Sequence, residues 1–198
     1  MIFKSYLVEN NLSLLKDKNI ILLYGENKGL KDDIKKSIIE KNKSREIIRL
    51  NQDDILKNNS LLDNEIMNLS LFDDKKIILI DNITDKSFSL IEKNVSQNNC
   101  LICLFSGTLE RRSKLRNLFE KEKALGLIPC YEDNEITLQN YIKKYLKNIK
   151  GLNQEIINFI INNSNKSRDK IKNELDKTAV YFMEKQINIS ELRQLLNL

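Results

Sequence analysis

The residues whose types and spacing could do chemistry follow an apolar run. In IILLYGENKGLKDDIKKSI, residues 20–38, the run breaks at Gly25 and a helix-like pattern begins near Leu30. A strand, a glycine-led turn and a helix start can cradle phosphate on backbone amides, with a lysine reaching the anion and a hydroxyl holding Mg²⁺. Laid on the pattern G-x-x-x-x-G-K-[ST], Gly25 fits the first position and Lys31 the lysine, but Leu30 replaces the second glycine and Asp32 the hydroxyl. A leucine side chain obstructs the close approach that glycine permits, and a carboxylate adds negative charge to a site built for phosphate. The acidic motif is incomplete as well. The run IILID ends in Asp81, where a Walker B aspartate would stand, and Asn82 follows in place of the carboxylate that would orient an attacking water. Gly25, Gly29 and Asp81 also have a plainer reading, as turn formers at strand ends. The expectation is a degenerate nucleotide site: no ATP hydrolysis, no cofactor and no metal.

Other chemistries are narrowed by composition. The 198 residues include no histidine, which excludes a histidine general base, a Ser-His-Asp triad and histidine metal ligands. Cys100 and Cys103 have metal-like spacing, but they lie in the strand-like NNCLICLFSG. Residues i and i+3 of a strand point to opposite faces, so these two are expected as core thiols, as is Cys130. A net charge of +5, with acids and bases interspersed, permits contact with nucleic acid or acidic partners without demanding it. No apolar segment approaches the ~20 residues of a membrane span, and Met1-Ile2-Phe3-Lys4 does not open a signal peptide, so a soluble, cytoplasmic chain is expected.

The elements that must position these residues read as an α/β pattern. Short apolar runs at Ile20–Tyr24, Glu46–Leu50, Lys76–Ile80, Cys100–Phe105 and Leu127–Tyr131 alternate with helix-like stretches near Leu30–Lys41, Leu61–Leu69, Ser87–Val95 and Arg112–Glu122. Runs such as Ile77-Ile78-Leu79-Ile80 are apolar without alternation, the mark of strands covered on both faces, hence a parallel sheet with crossover helices. After Pro129 the pattern turns helical. Leu138, Tyr141, Ile142, Tyr145 and Leu146 share one helix face, further helices are expected through LNQEIINFIINNS and RDKIKNELDKTAVYF, and Asn188 with Glu191 has the spacing of a capping box ahead of a last helix. The domain expectation is an α/β domain over 1–133 and a small helical domain over 134–198.

Three blocks carry a family resemblance: LLYGENKGLKDDIKKSI, LLDNEIMNLSLFDDKKIILIDN and LERRSKLRNLFEKEKALGLIPCYED, followed by SRDKIKNELDKTAVYF and INISELRQLL. In combination they resemble the delta subunit family of the bacterial DNA polymerase III clamp loader, a branch of the AAA+ superfamily with an inactive nucleotide site. The resemblance implies a P-loop-NTPase-like (AAA+) sheet domain of RecA type followed by a helical lid. It implies a non-catalytic subunit in DNA replication that opens the ring-shaped sliding clamp (beta) beside delta prime and gamma/tau, with DNA met indirectly or weakly. The enzyme of the whole assembly is a DNA-directed DNA polymerase, a nucleotidyltransferase. The family's clamp-binding wedge corresponds to Asn68, Leu69, Ser70, Leu71 and Phe72. A Leu-Phe pair followed by Asp73-Asp74-Lys75-Lys76 is an apolar knob beside a polar rim, as at interface hot spots; the alternative is that both side chains pack inward ahead of the strand.

Two departures stand out. Asn68 takes the place of a more usual glutamine, shortening the polar anchor. Family members continue into a third, helical collar domain, whereas the resemblance here ends at Leu198, which fits a fragment of a longer protein or a split gene product as well as a member lacking the collar. Arg111, Arg112, Lys114 and Arg116 form a basic cluster at a helix start, read either as a contact to DNA or a partner subunit or as a solvated face. Two competing functions remain: an active AAA+ ATPase motor subunit, opposed by Leu30, Asp32 and Asn82, and a general nucleic-acid-binding module.

Overall fold

The computed structural model describes residues 1–68, 76–97 and 99–196. The chain divides into two compact units, Met1–Tyr131 and Glu132–Leu198. In the first, the five apolar runs form strands β1 (Ile20–Tyr24), β2 (Ile47–Asn51), β3 (Ile77–Asp81), β4 (Leu101–Phe105) and β5 (Gly126–Pro129). They pair in parallel throughout, in the order β2-β3-β4-β1-β5. The helices of this unit are α1 (Ser5–Asn10), α2 (Lys28–Lys41), α3 (Gln52–Lys57), α4 (Ser60–Met67), α5 (Phe88–Lys93) and α6 (Lys114–Lys121). The α/β class expected from the sequence is what the structure shows.

The missing alternation in the strands has its cause in the two layers. On one face, Ile20, Leu22, Ile78, Ile80, Ile102 and Leu104 pack against Ile55 of α3, Leu62 of α4, Ile91 of α5 and Phe119 of α6. On the other, Ile21, Leu23, Ile77, Leu79 and Cys103 pack against Val8 of α1 and Leu30, Ile34 and Ile38 of α2. Each residue of β1 and nearly every residue of β3 and β4 therefore meets a helix whichever way it points, while edge strand β2 is only partly covered. Each fully buried aliphatic side chain contributes roughly 1.5–3 kcal/mol. Cys100 and Cys103 fall on opposite faces of the sheet, and burial pushes the Cys103 thiol up to about 12.

The second unit contains α7 (Glu135–Tyr145), α8 (Gln154–Asn163), α9 (Arg168–Tyr181) and α10 (Ile189–Leu196). Their apolar stripes meet in one core, with Leu138, Ile142, Ile160, Leu175, Phe182 and Leu192 fully buried. Within it Arg168 is buried, its guanidinium 3.2 Å from both carboxylate oxygens of Asp133 and 4.1 Å from the centre of the Tyr141 ring. The capping box expected before the last helix forms only by half. Asn188 Oδ1 accepts from the Ser190 and Glu191 amides at 2.8 and 3.4 Å, while the Glu191 carboxylate turns to the Lys185 ammonium. A full capping box stands instead at α3, between Asn51 and Asp54.

Candidate functional site

Strands β1 and β4 are neighbours whose connections leave over opposite faces, α2 under one and α6 over the other. Such a switch opens a crevice at the carboxyl ends of the strands, the usual ligand position in an open α/β sheet. Gly25 and Ser106 stand at the rims of that crevice, and Lys31 closes it: its ammonium donates to the carbonyls of Gly25 at 2.8 Å and Ser106 at 2.6 Å. Burial lowers its pKa from the ordinary lysine value. The cation expected to reach phosphate is thus held by the protein's own backbone.

Three backbone amides of the loop, those of Gly25, Asn27 and Leu30, are engaged as well. The Gly25 amide donates to Gly107 O at 3.0 Å and the Asn27 amide to Cys130 O at 3.1 Å. Asn27 caps α2, its Oδ1 accepting from the Leu30 amide at 2.9 Å. Gly25 has φ +128°, and a Cβ there would lie 2.2 Å from Cys130 O. Its glycine is required by the close passage of the backbone at Cys130, just after β5, a reason independent of phosphate. Gly29 is not a turn former; it lies buried in the first turn of α2. Leu30 does not stand in the mouth of the loop, where it was expected to obstruct phosphate, but is buried in the core beside Ile34. Asp32 is exposed on α2.

Asp81, at the end of β3, accepts from the Lys35 ammonium with both oxygens at 2.8 Å. Lys35 lies one helical turn beyond Lys31 and also stands 4.5 Å from the centre of the Phe105 ring. Asn82 adopts φ 59°, a left-handed conformation that asparagine tolerates better than most residues. Its identity follows from the turn. Sequence reasoning missed Lys35 altogether; its position four residues after Lys31 on α2 was the only available signal.

The basic cluster separates in the structure. Arg111, Arg112 and Lys114 are exposed, with Arg112 paired to Glu110 at 2.7 Å. Arg116 turns inward: it bonds Glu120 at 2.8 Å and Leu109 O at 3.3 Å, and its guanidinium lies 5.4 Å from the Tyr24 ring. Tyr24 and Tyr131 meet edge-on with their hydroxyls 3.2 Å apart, and burial, then the bond to Tyr131, raises the Tyr24 pKa. The start of α6 already holds an anion. Asp85 accepts from Ser113 Oγ at 2.7 Å, Leu115 N at 3.0 Å and Lys114 N at 3.1 Å. Burial alone would raise the pKa of this carboxyl, but the three donors hold it below the usual carboxylate range.

Of the expected wedge, Asn68 is exposed and closes α4, its amide donating to Asn64 O at 2.8 Å. Leu69, Ser70, Leu71 and Phe72 lie outside the described residues. Lys76 does not belong to a polar rim. It is buried, its ammonium 3.7 Å from both Glu46 and Glu65, so a buried charge is balanced by two partners. Among the described residues no cluster of three or more Cys, Asp or Glu could hold a metal ion, and no helix is long and apolar enough to cross a membrane.

The sequence matches the family model described as DNA polymerase III, delta subunit, over residues 21–127, more than half of the chain. The chain belongs to that family. The matched stretch spans the sheet from β1 to β5 and thus includes Gly25, Lys31, Asp81 and the segment 68–72. Among solved structures, the DNA clamp loader delta protein of Bacillus subtilis is similar, with a TM-score of 0.68 at 14% identity, over 96% of this chain and 62% of that one. That likeness shows the fold, and the delta-family chain spans less than two thirds of that protein. Domain III of the replication initiation protein DnaA from Thermotoga maritima aligns with a TM-score of 0.46 at 17% identity, over 98% and 88% of the two chains. No curated protein matches the sequence.

Proposed function

We propose that this delta-family chain is a clamp-loader subunit of the AAA+ type that binds and opens the sliding clamp in DNA replication without hydrolysing ATP. The observation that carries the reading is the closed crevice at β1 and β4. Lys31 directs two of its three donors to Gly25 O and Ser106 O, and Asp81 is neutralised by Lys35. A nucleotide would have to break both sets of contacts and supply Mg²⁺ with ligands that Asp32 and Asn82 do not replace. The work left to such a subunit is mechanical. Other clamp-loader subunits bind ATP, and this one stabilises an open ring by binding it better than the closed one.

The clamp contact is assigned to Asn68–Phe72, with Leu71 and Phe72 as the apolar anchor. Burying the two side chains would contribute roughly 3–6 kcal/mol, on the order of a 10²- to 10⁴-fold change in affinity. The chain itself carries no catalytic residue in this reading and works in the cytoplasm. Equilibrium titration with Mg²⁺-ATP, followed by a coupled phosphate-release assay, tests the nucleotide part. Micromolar ATP affinity that is lost in Lys31→Met would show a working site and favour an active motor subunit.

The exposed Arg111, Arg112 and Lys114 are assigned a secondary contact with DNA. Binding there would weaken steeply with salt. A charge-reversed triple variant with unchanged DNA affinity would rule that contact out.

A further inference from the structure

A cavity of about 360 Å³ lies at the edge of the sheet where the strands begin, below β1 and β4 and beside the end of α2. Its floor is apolar, formed by Leu12, Leu15, Ile21, Ile38 and Leu101. Its walls carry Lys16, Lys18, Lys41 and Arg45, and no carboxylate lines it among the described residues. The four cations come from the turn before β1, the end of α2 and the approach to β2. Lys18 donates to Lys123 O and Lys41 to Ser13 Oγ, and among the described residues none of the four has a carboxylate within ion-pair distance. Elsewhere in the same unit two lysines near the strands are neutralised, Lys35 by Asp81 and Lys76 by Glu46 and Glu65.

We propose that this cavity binds a peptide segment of a partner protein in which a large apolar side chain is flanked by carboxylates. The apolar floor and the volume suit one aromatic or branched side chain, and an isolated apolar pocket with convergent charges on its walls gives both affinity and orientation. The cations, two of them hydrogen-bonded but none facing a carboxylate among the described residues, supply the complementary charge and would draw an acidic segment in. Single-stranded nucleic acid fits less well, because among the described residues no aromatic ring lines the cavity on which a base could stack. The proposal does not depend on the clamp contact at 68–72, which engages other residues.

The test is a titration of the full chain, at low salt, with the blocked peptide Ac-Asp-Asp-Phe-Asp-Asp-amide, followed by calorimetry and by backbone amide NMR shifts. The expected result is submillimolar binding with shifts centred on Asn19, Asn42 and Leu101. Replacing the peptide's phenylalanine by glycine, or using the Lys16→Gln/Arg45→Gln variant, should each weaken binding about tenfold or more, roughly 1.4 kcal/mol per decade. The shift map on the unsubstituted chain keeps the test decisive even if the variant fails to fold. No binding at millimolar peptide, shifts centred elsewhere, or equal binding by the glycine peptide would overturn the proposal. So would an oligothymidylate that binds more tightly than the peptide and is lost in the same variant, which would make the cavity a phosphate site.

Discussion

The two edges of one parallel sheet treat charge in opposite ways. At the edge where the strands end, the two charged motif residues that reach the crevice have partners inside the protein, Lys31 on two carbonyls and Asp81 on Lys35, and nearby Asp85 is held by the start of α6. At the edge where the strands begin, Lys16, Lys18, Lys41 and Arg45 surround a cavity that no acid lines among the described residues. The composition of both edges is similar, rich in lysine on an apolar background. The difference teaches that a recognisable motif can be the less available part of a molecule. The motif edge resembles a binding site in sequence and holds its charges on internal partners; the other has no motif, and among the described residues its four cations have no carboxylate partner.

Substitutions can break or sharpen that contrast, and on stability the largest effect is expected at Gly25. Gly25→Ala combines a positive φ with a backbone carbonyl 2.2 Å from the new Cβ, and should cost about 3 kcal/mol or more in urea unfolding. A mild effect would mean that the loop after β1 is free to adjust, and hence open to a ligand. Next comes Lys31→Met, which strands the Gly25 and Ser106 carbonyls and should cost about 1–3 kcal/mol. In a working nucleotide site the same change would abolish ATP binding with little loss of stability, so the two accounts predict opposite phenotypes.

Asp85→Asn should cost about 1 kcal/mol at pH 7, discounted for its partial exposure. The sign with pH follows from its lowered pKa. The folded state holds the carboxylate charged below the unfolded value of about 3.9, so the contribution is complete above that pH and lost as pH falls through the folded pKa. The gap between wild type and Asp85→Asn in unfolding free energy should therefore be constant from pH 5 to 8 and close on acidification below roughly pH 4. The smallest effect belongs to the exposed arginines. Arg111→Gln with Arg112→Gln should shift stability by less than about 0.5 kcal/mol, whereas Arg116→Gln, which removes bonds to Glu120 and Leu109 O, should cost about 1–2 kcal/mol.

The strands were legible because burial on both faces writes itself as unbroken aliphatic runs such as Ile77–Ile80, and all five fall within two residues of their expected positions. The helices α1 and α3 were not. Each has six residues and few buried side chains, Val8 in one and Gln52 and Ile55 in the other, too few to show a period. At the site, Gly25 and Lys31 were found by pattern, but the reason for their identity was not. Lys35 meets Asp81 across 46 positions and Ser113 meets Asp85 across 28, and a single sequence holds no sign of such pairings. Leu30 was expected to block the loop from outside because a pattern says which residue is wrong without saying where its side chain points. Arg116 was grouped with three exposed cations for the same reason.

The most direct test of the central claim is binding of the full chain to a sliding clamp, measured with and without Mg²⁺-ATP, for the wild type and for Leu71→Ala/Phe72→Ala. The account predicts equal wild-type affinity in both conditions and a loss of roughly 10²-fold or more in the double variant, with its thermal unfolding unchanged. Affinity that requires ATP, or that survives the double substitution in a folded protein, would contradict it.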